Sequence, residues 1–179
     1  SPVDFFFNRG KGTPCRDEQR ALVASPRDVP TYDKKPEMSA VAVTDRLLAE
    51  LEQQSFDVAI LNFANCDMVG HTGDFAATVQ AVETVDRSLG RVLSALDTRH
   101  GAAIIIADHG NADQMIDYET GEPHTYHTMH PVPFIVYGAG LEKASVRSGG
   151  ALCDVAPSVL ALLGVAQPAE MTGTSLVGL

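Results

Sequence analysis

The residue pattern predicts an α/β domain built around a mainly parallel sheet. Three observations carry this: short apolar runs at 57–63 (DVAILNF), 102–107 (AAIIIA) and 133–137 (PFIVY), stretches of helical apolar periodicity between them, and polar, glycine-bearing segments next to the runs. Residues 3–7 form a first apolar, aromatic run that reads as a strand, and the polar residues 8–17 read as a loop. A further short strand is expected at 21–24, after which Pro26, Pro30 and Pro36 keep the backbone extended, because a residue before proline avoids the helical region. A helix is expected from about Ser39, with Val43, Leu47, Leu48 and Leu51 on one face and Asp45, Arg46 and Glu50 on the other. The run 57–63 reads as a buried strand, and 65–74 as a loop punctuated by Gly70 and Gly73. A long helix follows, its apolar stripe set by Val82, Val85, Leu89, Val92, Leu93 and Leu96. The runs 102–107 and 133–137 are too apolar for edge strands and read as central ones. A last helix is expected to open on Asp154 as N-cap, tolerate Pro157 in its first turn and run through Leu160 and Leu163 to Gly164.

With 179 residues the chain fits a single domain, and 45% hydrophobic with 20% charged residues is the balance of a folded globular protein. Thirteen Lys and Arg against 23 Asp and Glu give a net charge of -10. Such a field repels nucleic acid and anionic membranes, so an anionic substrate has to be drawn in locally, by bound cations or by one or two arginines. Cys15, Cys66 and Cys153 are far apart in sequence and form no CxxC pair, which suggests neither a disulfide framework nor a zinc knuckle and fits a reducing, cytoplasmic setting. No run has membrane-spanning length, and the start lacks a signal-peptide pattern. The absence of an initiator methionine suggests a processed or truncated product.

Three clusters of ligand-type side chains sit where strands should end or begin. Asp67 and His71 follow the run 57–63, Asp108 and His109 follow 102–107, and His124, His127 and His130 lead into 133–137. Carboxylate and imidazole suit manganese, zinc or iron. Adjacent side chains on a strand point to opposite faces, so Asp108 and His109 can share a site only where the backbone turns, and Gly110 permits that turn. Each cluster alone is a weak signal, since a lone aspartate or histidine after a strand more often caps or hydrogen-bonds a loop than holds a metal; the three together, on one edge of one sheet, point to metal. Five ligands exceed one closed tetrahedral site and lean towards a pair of ions, which suits phosphoryl transfer and also serves sulfatases and peptidases.

The strings NFANCDMVGHTGD (62–74), IIIADHGNADQM (104–115) and HTYHTMHPVPF (124–134) resemble the cofactor-independent phosphoglycerate mutases of the alkaline phosphatase superfamily, as do TYDKKPEMSA (31–40) and AEMTGTSL (169–176). The resemblance covers nearly the whole chain. It implies a three-layer α/β/α, alkaline-phosphatase-like fold, here the C-terminal part of the metal-binding phosphatase domain over residues 1–179, incomplete without the N-terminal segments and the separate phosphotransferase domain. It implies two manganese ions, one held by Asp67, His71 and His127 and the other by Asp108 and His109. The implied activity is an isomerase's: 3-phosphoglycerate and 2-phosphoglycerate are interconverted through a phosphoserine, in glycolysis and gluconeogenesis. The family's nucleophilic serine lies in an Asn-Ser-Glu-Val-Gly-His segment, and its partner aspartate in an Asp-Gly segment near the N-terminus; no serine here has that setting, so the chain alone is expected to be inactive.

Other positions follow from the same likeness. Arg27 stands where the family has the lysine of a Ser-Pro-Lys segment, and is either a substrate-binding or a surface residue. His124 is expected in a structural or hydrogen-bonding part, Cys66 as a packed thiol, and Met68 and Val69 as packing residues. Asn8-Arg9-Gly10 and Pro14-Cys15-Arg16-Asp17 depart from the family's usual strings. Two alternatives remain open: another phosphomutase or phosphatase of the superfamily, or a metal-binding module without chemistry.

Overall fold

The computed structural model describes residues 13–53 and 56–179. The expected strand at 3–7 lies outside these residues. The chain divides into two compact units, one made of the chain up to Val92 together with Asn111–Thr128, the other of Leu93–Gly110 with Met129–Leu179.

In the first unit a 3-10 turn at Tyr32–Lys34 precedes helix α1 (Ala40–Gln53). The expected stripe of Val43, Leu47, Leu48 and Leu51 is half-buried, while the fully covered positions are Ala40 and Thr44. The Thr44 hydroxyl donates to the Ala40 carbonyl (2.8 Å), so it is buried without an unmet polar group. Helix α2 (Asn65–Gly70) occupies what the sequence suggests is loop. It is anchored at its start by Asn65, 2% exposed, whose side-chain amide donates to the carbonyls of Pro36 (2.8 Å) and Glu37 (2.9 Å). Helix α3 (Phe75–Asp97) opens on Asp74, whose Oδ1 accepts the Ala77 amide at 2.9 Å. Its most deeply buried face is small and partly hydroxylic, Ala77, Thr78, Ala81, Thr84 and Ser88, ending at Val92, whereas the expected Val82 is 46% exposed. Thr78 and Thr84 return their hydroxyls to the carbonyls of Asp74 and Gln80 (both 2.8 Å), which lets small polar residues pack closely there. Val69, wholly buried, packs with Met38, Ala77 and Ala81, and Tyr32 closes the cluster. Val69 is thus a packing residue as expected; Met68 is not, being 38% exposed.

The runs 21–24 and 57–63 are not strands among the described residues, because neither forms a backbone ladder. Val58 and Ile60 accordingly remain exposed.

In the second unit β1 (Ala102–Ile106) pairs with β2 (Phe134–Gly138), and β3 (Ser145–Val146) with β4 (Val177–Gly178). Both pairings are antiparallel, with Ala102 opposite Gly138 and Ile106 opposite Phe134 in the first. The parallel arrangement read from the sequence is therefore not the one seen among the described residues. A parallel pair needs a crossover, usually helical; the segment joining β1 to β2 contains no helix and returns the chain in the opposite direction. Among the described residues each strand has a single partner, and β1 is half-buried rather than central.

Helix α4 (Val155–Leu162) follows Asp154, as expected, but the Asp154 carboxylate does not cap it. It accepts the amides of Thr174 (2.7 Å) and Ala151 (2.9 Å) and the Arg147 guanidinium (3.3 Å). Those backbone donors, Thr174 first, hold the Asp154 carboxyl below the usual aspartate range, and the Arg147 charge adds to this. The Ser158 hydroxyl donates to the Asp154 carbonyl (2.7 Å) and accepts the Leu176 amide (2.8 Å). The segment at 174–176 is in this way tied to α4.

Candidate metal centre

Helix α2 places Asp67 and His71 four residues apart, hence on one face. His127 comes from a hairpin-like segment in the same unit. There Ile116 bridges to Pro123, the His124 amide donates to the Met115 carbonyl (2.9 Å), and Asp117 Oδ1 accepts the amides of Glu119 and Thr120 (2.8 and 3.1 Å). The turn after α2 comes close to this segment at Gly73, where φ is +73°. A Cβ at that glycine would stand 3.0 Å from Pro123 Cβ and 3.1 Å from Thr125 Cγ2.

The three donors form a nearly equilateral triangle. His71 Nε2 and His127 Nε2 are 3.1 Å apart, and each is 3.1 Å from Asp67 Oδ1. These ligand-type atoms make the one cluster of three or more among the described residues.

Proton inventory explains why such a triangle calls for a cation. His71 Nδ1 lies 2.7 Å from the Thr125 carbonyl oxygen, which can only accept, so Nδ1 carries the hydrogen. In the neutral ring Nε2 then presents its lone pair to the triangle, facing a carboxylate oxygen. His127 Nε2 can supply at most one hydrogen to the two neighbours it meets. A further positive centre, a proton or a metal ion, is needed to hold the three atoms this close. Ligands at about 2.0–2.2 Å from a shared ion stand roughly 3 to 3.5 Å from one another, and the 3.1 Å edges meet that spacing. The donor set therefore fits a divalent transition metal. The Asp67, His71 and His127 side chains are 35, 40 and 51% exposed, an open site rather than a closed structural one.

Asp108 and His109 lie at the end of β1, where the chain bends. His109 Nε2 is 3.8 Å from Asp108 Oδ1, and the Asp108 side chain is 75% exposed. Among the described residues two donors are brought together here, not three. Arg27 is exposed and makes no hydrogen bond or ion pair among the described residues.

Of the three clusters expected at strand ends, only Asp108 and His109 follow a strand among the described residues; Asp67 stands on helix α2 and His71 at its C-terminal cap, and the histidine segment precedes β2. The Nδ1 atom of His124 is buried without a hydrogen-bond partner, although its ring meets Tyr126 edge-on at 6.1 Å. Burial pushes the Cys66 thiol up from its ordinary value, as befits a packed thiol. Sequence reading missed two contributors. The Thr125 carbonyl carries no residue-type signal, and Asn65 gives none beyond its place two residues before Asp67.

Comparison with known proteins shows the family. The profile of the Metalloenzyme superfamily matches residues 1–167. The chain belongs to the Metalloenzyme superfamily. Its alkaline-phosphatase-like α/β fold, expected from the sequence, is also that of a Leishmania mexicana phosphoglycerate mutase solved at low cobalt concentration, with a TM-score of 0.88 and 34% identity over 99% of this chain and 35% of that one. A 2,3-bisphosphoglycerate-independent phosphoglycerate mutase of Pseudomonas aeruginosa is 54% identical over 99% of this superfamily member and 34% of its own length. A protein named 2,3-bisphosphoglycerate-independent phosphoglycerate mutase 2, from Methanosarcina barkeri, is 51% identical over 98% of the chain and 33% of its own length. The chain thus spans about a third of the length of the curated relatives it matches.

Proposed function

We propose that this chain is the C-terminal, metal-holding part of the phosphatase domain of a cofactor-independent phosphoglycerate mutase, an isomerase of glycolysis and gluconeogenesis. The observation that carries the reading is the 3.1 Å triangle of Asp67 Oδ1, His71 Nε2 and His127 Nε2. Identity of 54% to a protein named for that activity supports it.

Asp67, His71 and His127 would hold one manganese ion, and Asp108 and His109 would contribute to a second. Bound divalent ions supply positive charge that absorbs the charge developing on a transferring phosphoryl group and lowers the pKa of the attacking oxygen. The chain's own residues bind and orient. Thr125 fixes the His71 ring, so that its Nε2 lone pair faces the site. Asp67 brings the negative charge that a cation requires. Arg27, exposed and unpaired among the described residues, is available to grip a phosphate of 3-phosphoglycerate or 2-phosphoglycerate through its fork of N–H donors.

The nucleophilic serine of the phosphoserine route, its partner aspartate and the phosphotransferase domain that excludes water belong to the remainder of such an enzyme, so the 179 residues alone are inactive. A cytoplasmic setting accompanies this reading; Cys15, Cys66 and Cys153 form no disulfide among the described residues. No helix among the described residues is long and apolar enough to cross a membrane.

The test is turnover with and without the remainder. The 179-residue chain should leave 3-phosphoglycerate unchanged, while the intact protein carrying it should produce 2-phosphoglycerate with manganese and no added bisphosphoglycerate. Release of inorganic phosphate alone would instead favour a phosphatase of the same superfamily.

A further inference from the structure

Asn111 belongs to the ADHGN run, yet the ligand groups described above do not use it. It is 5% exposed, and the two ends of its side-chain amide meet different surroundings. Nδ2 donates to Asp67 Oδ1 at 3.3 Å. Oδ1 is buried, has no hydrogen-bond partner, and lies against helix α2 at Gly70. A Cβ at Gly70 would come 2.1 Å from that oxygen and 3.0 Å from Asn111 Cγ. Exchanging the two ends of the amide would set its carbonyl oxygen against a carboxylate oxygen, so the donor must face Asp67.

Burying an amide with its oxygen unmet is unfavourable for folding. What the placement secures is a fixed donor on one atom, and that atom is the corner of the triangle. Asp67 Oδ1 is the same oxygen that stands 3.1 Å from His71 Nε2 and from His127 Nε2. A carboxylate oxygen has two lone pairs; occupying one with the Asn111 N–H leaves the other directed at the site.

We propose that Asn111 is a positioning residue for the divalent-metal site of Asp67, His71 and His127, and that Gly70 is glycine because a side chain there would displace the Asn111 amide from Asp67. This rests on the metal-site reading above.

The test is calorimetric titration of Mn²⁺ into the 179-residue chain as wild type, Asn111→Ala, Asn111→Leu, Gly70→Ala and His127→Ala, with thermal unfolding of each in metal-free buffer. Asn111→Ala and the nearly isosteric Asn111→Leu should weaken Mn²⁺ binding about tenfold, the lower end of what loss of a hydrogen bond to a ligand costs. Asn111→Leu removes the unmet oxygen and should unfold no earlier than wild type without metal, a separation of affinity from stability that a merely structural asparagine would not give. Gly70→Ala should weaken binding although Asn111 is still present. The visible bands of Co²⁺ bound to wild type should shift in all three variants. If Asn111→Ala fails to fold, Asn111→Leu and Gly70→Ala decide. Unchanged Mn²⁺ affinity in the Asn111 variants, with binding lost in His127→Ala, overturns the positioning role and leaves the metal site standing. Wild type that binds no Mn²⁺, or His127→Ala that binds as wild type does, overturns both.

Discussion

The Asp67, His71 and His127 group and the Asp108, His109 pair use the same residue types but differ in how far the chain prepares them. In the first, a short helix sets two donors four residues apart, a backbone carbonyl fixes one imidazole, a buried amide meets the carboxylate, and every edge is 3.1 Å. In the second, two neighbours at the end of β1 stand 3.8 Å apart, with the carboxylate largely in solvent. Ligand-type residues alone do not make a site; the supports that hold their lone pairs on one point do.

The sharpest way to break this contrast is His127→Ala, which leaves two donors in each group. Manganese affinity at the stronger site should fall by more than about 100-fold, since even loss of an outer hydrogen bond costs 10 to 100-fold, and the two groups should then bind comparably. Calorimetry reads this directly. Asp108→Ala should do the reverse: the weaker binding event disappears, and the stronger stays within about twofold, because Asp67, His71 and His127 all remain. Equal, tight occupancy of both groups in the wild-type chain would contradict the difference altogether.

A smaller effect is expected from Asn65→Ala, which removes the buried donor to the Pro36 and Glu37 carbonyls. It should lower stability by about 1–3 kcal/mol, the cost of leaving a buried acceptor unmet, and weaken the Asp67 site through α2 while sparing Asp108 and His109. Chemical denaturation with parallel Mn²⁺ titrations checks both parts.

The smallest effect on metal should come from Asp154→Asn, which serves as a control. The Asp154 carboxyl titrates below its ordinary value, so the stability it contributes is fully present above the usual aspartate range near pH 4 and is lost as pH falls through the depressed folded value. Asp154→Asn should lower the unfolding midpoint at neutral pH, weaken its dependence on acid, and leave Mn²⁺ affinity unchanged.

The elements that could be read in advance are those with enough length to show a period or an apolar block: α1, α3, α4, β1 and β2. Helix α2 could not, because six residues ending on Gly70 are too few to display helical spacing and look like punctuation. Strand direction was equally hidden. Apolar runs such as 102–107 indicate burial but not the sense in which they pair, and the observed pairing with β2 is antiparallel. The run 57–63 shows a further limit, since a strand exists only with a partner and none is present among the described residues.

At the site, side-chain chemistry marked Asp67, His71 and the histidines His124, His127 and His130 as candidates, the family resemblance singled out His127 among the last three, and the structure brings the donor atoms of Asp67, His71 and His127 together. Asp108 and His109 were legible as a pair, and the bend before Gly110 sets them near one another. The Thr125 carbonyl was not, because every residue has one and only the fold selects which is used. Asn111 was visible as part of its string, but its contact with Asp67 joins residues far apart in sequence and could be seen only once the chain was folded.

The most direct measurement is a crystal structure of the 179-residue chain grown with Mn²⁺, with anomalous scattering recorded at the manganese edge. A strong peak bonded to Asp67 Oδ1, His71 Nε2 and His127 Nε2 is expected, with a weaker one or none at Asp108 and His109. A strong peak elsewhere, with the three donor atoms turned away from one another, would contradict it.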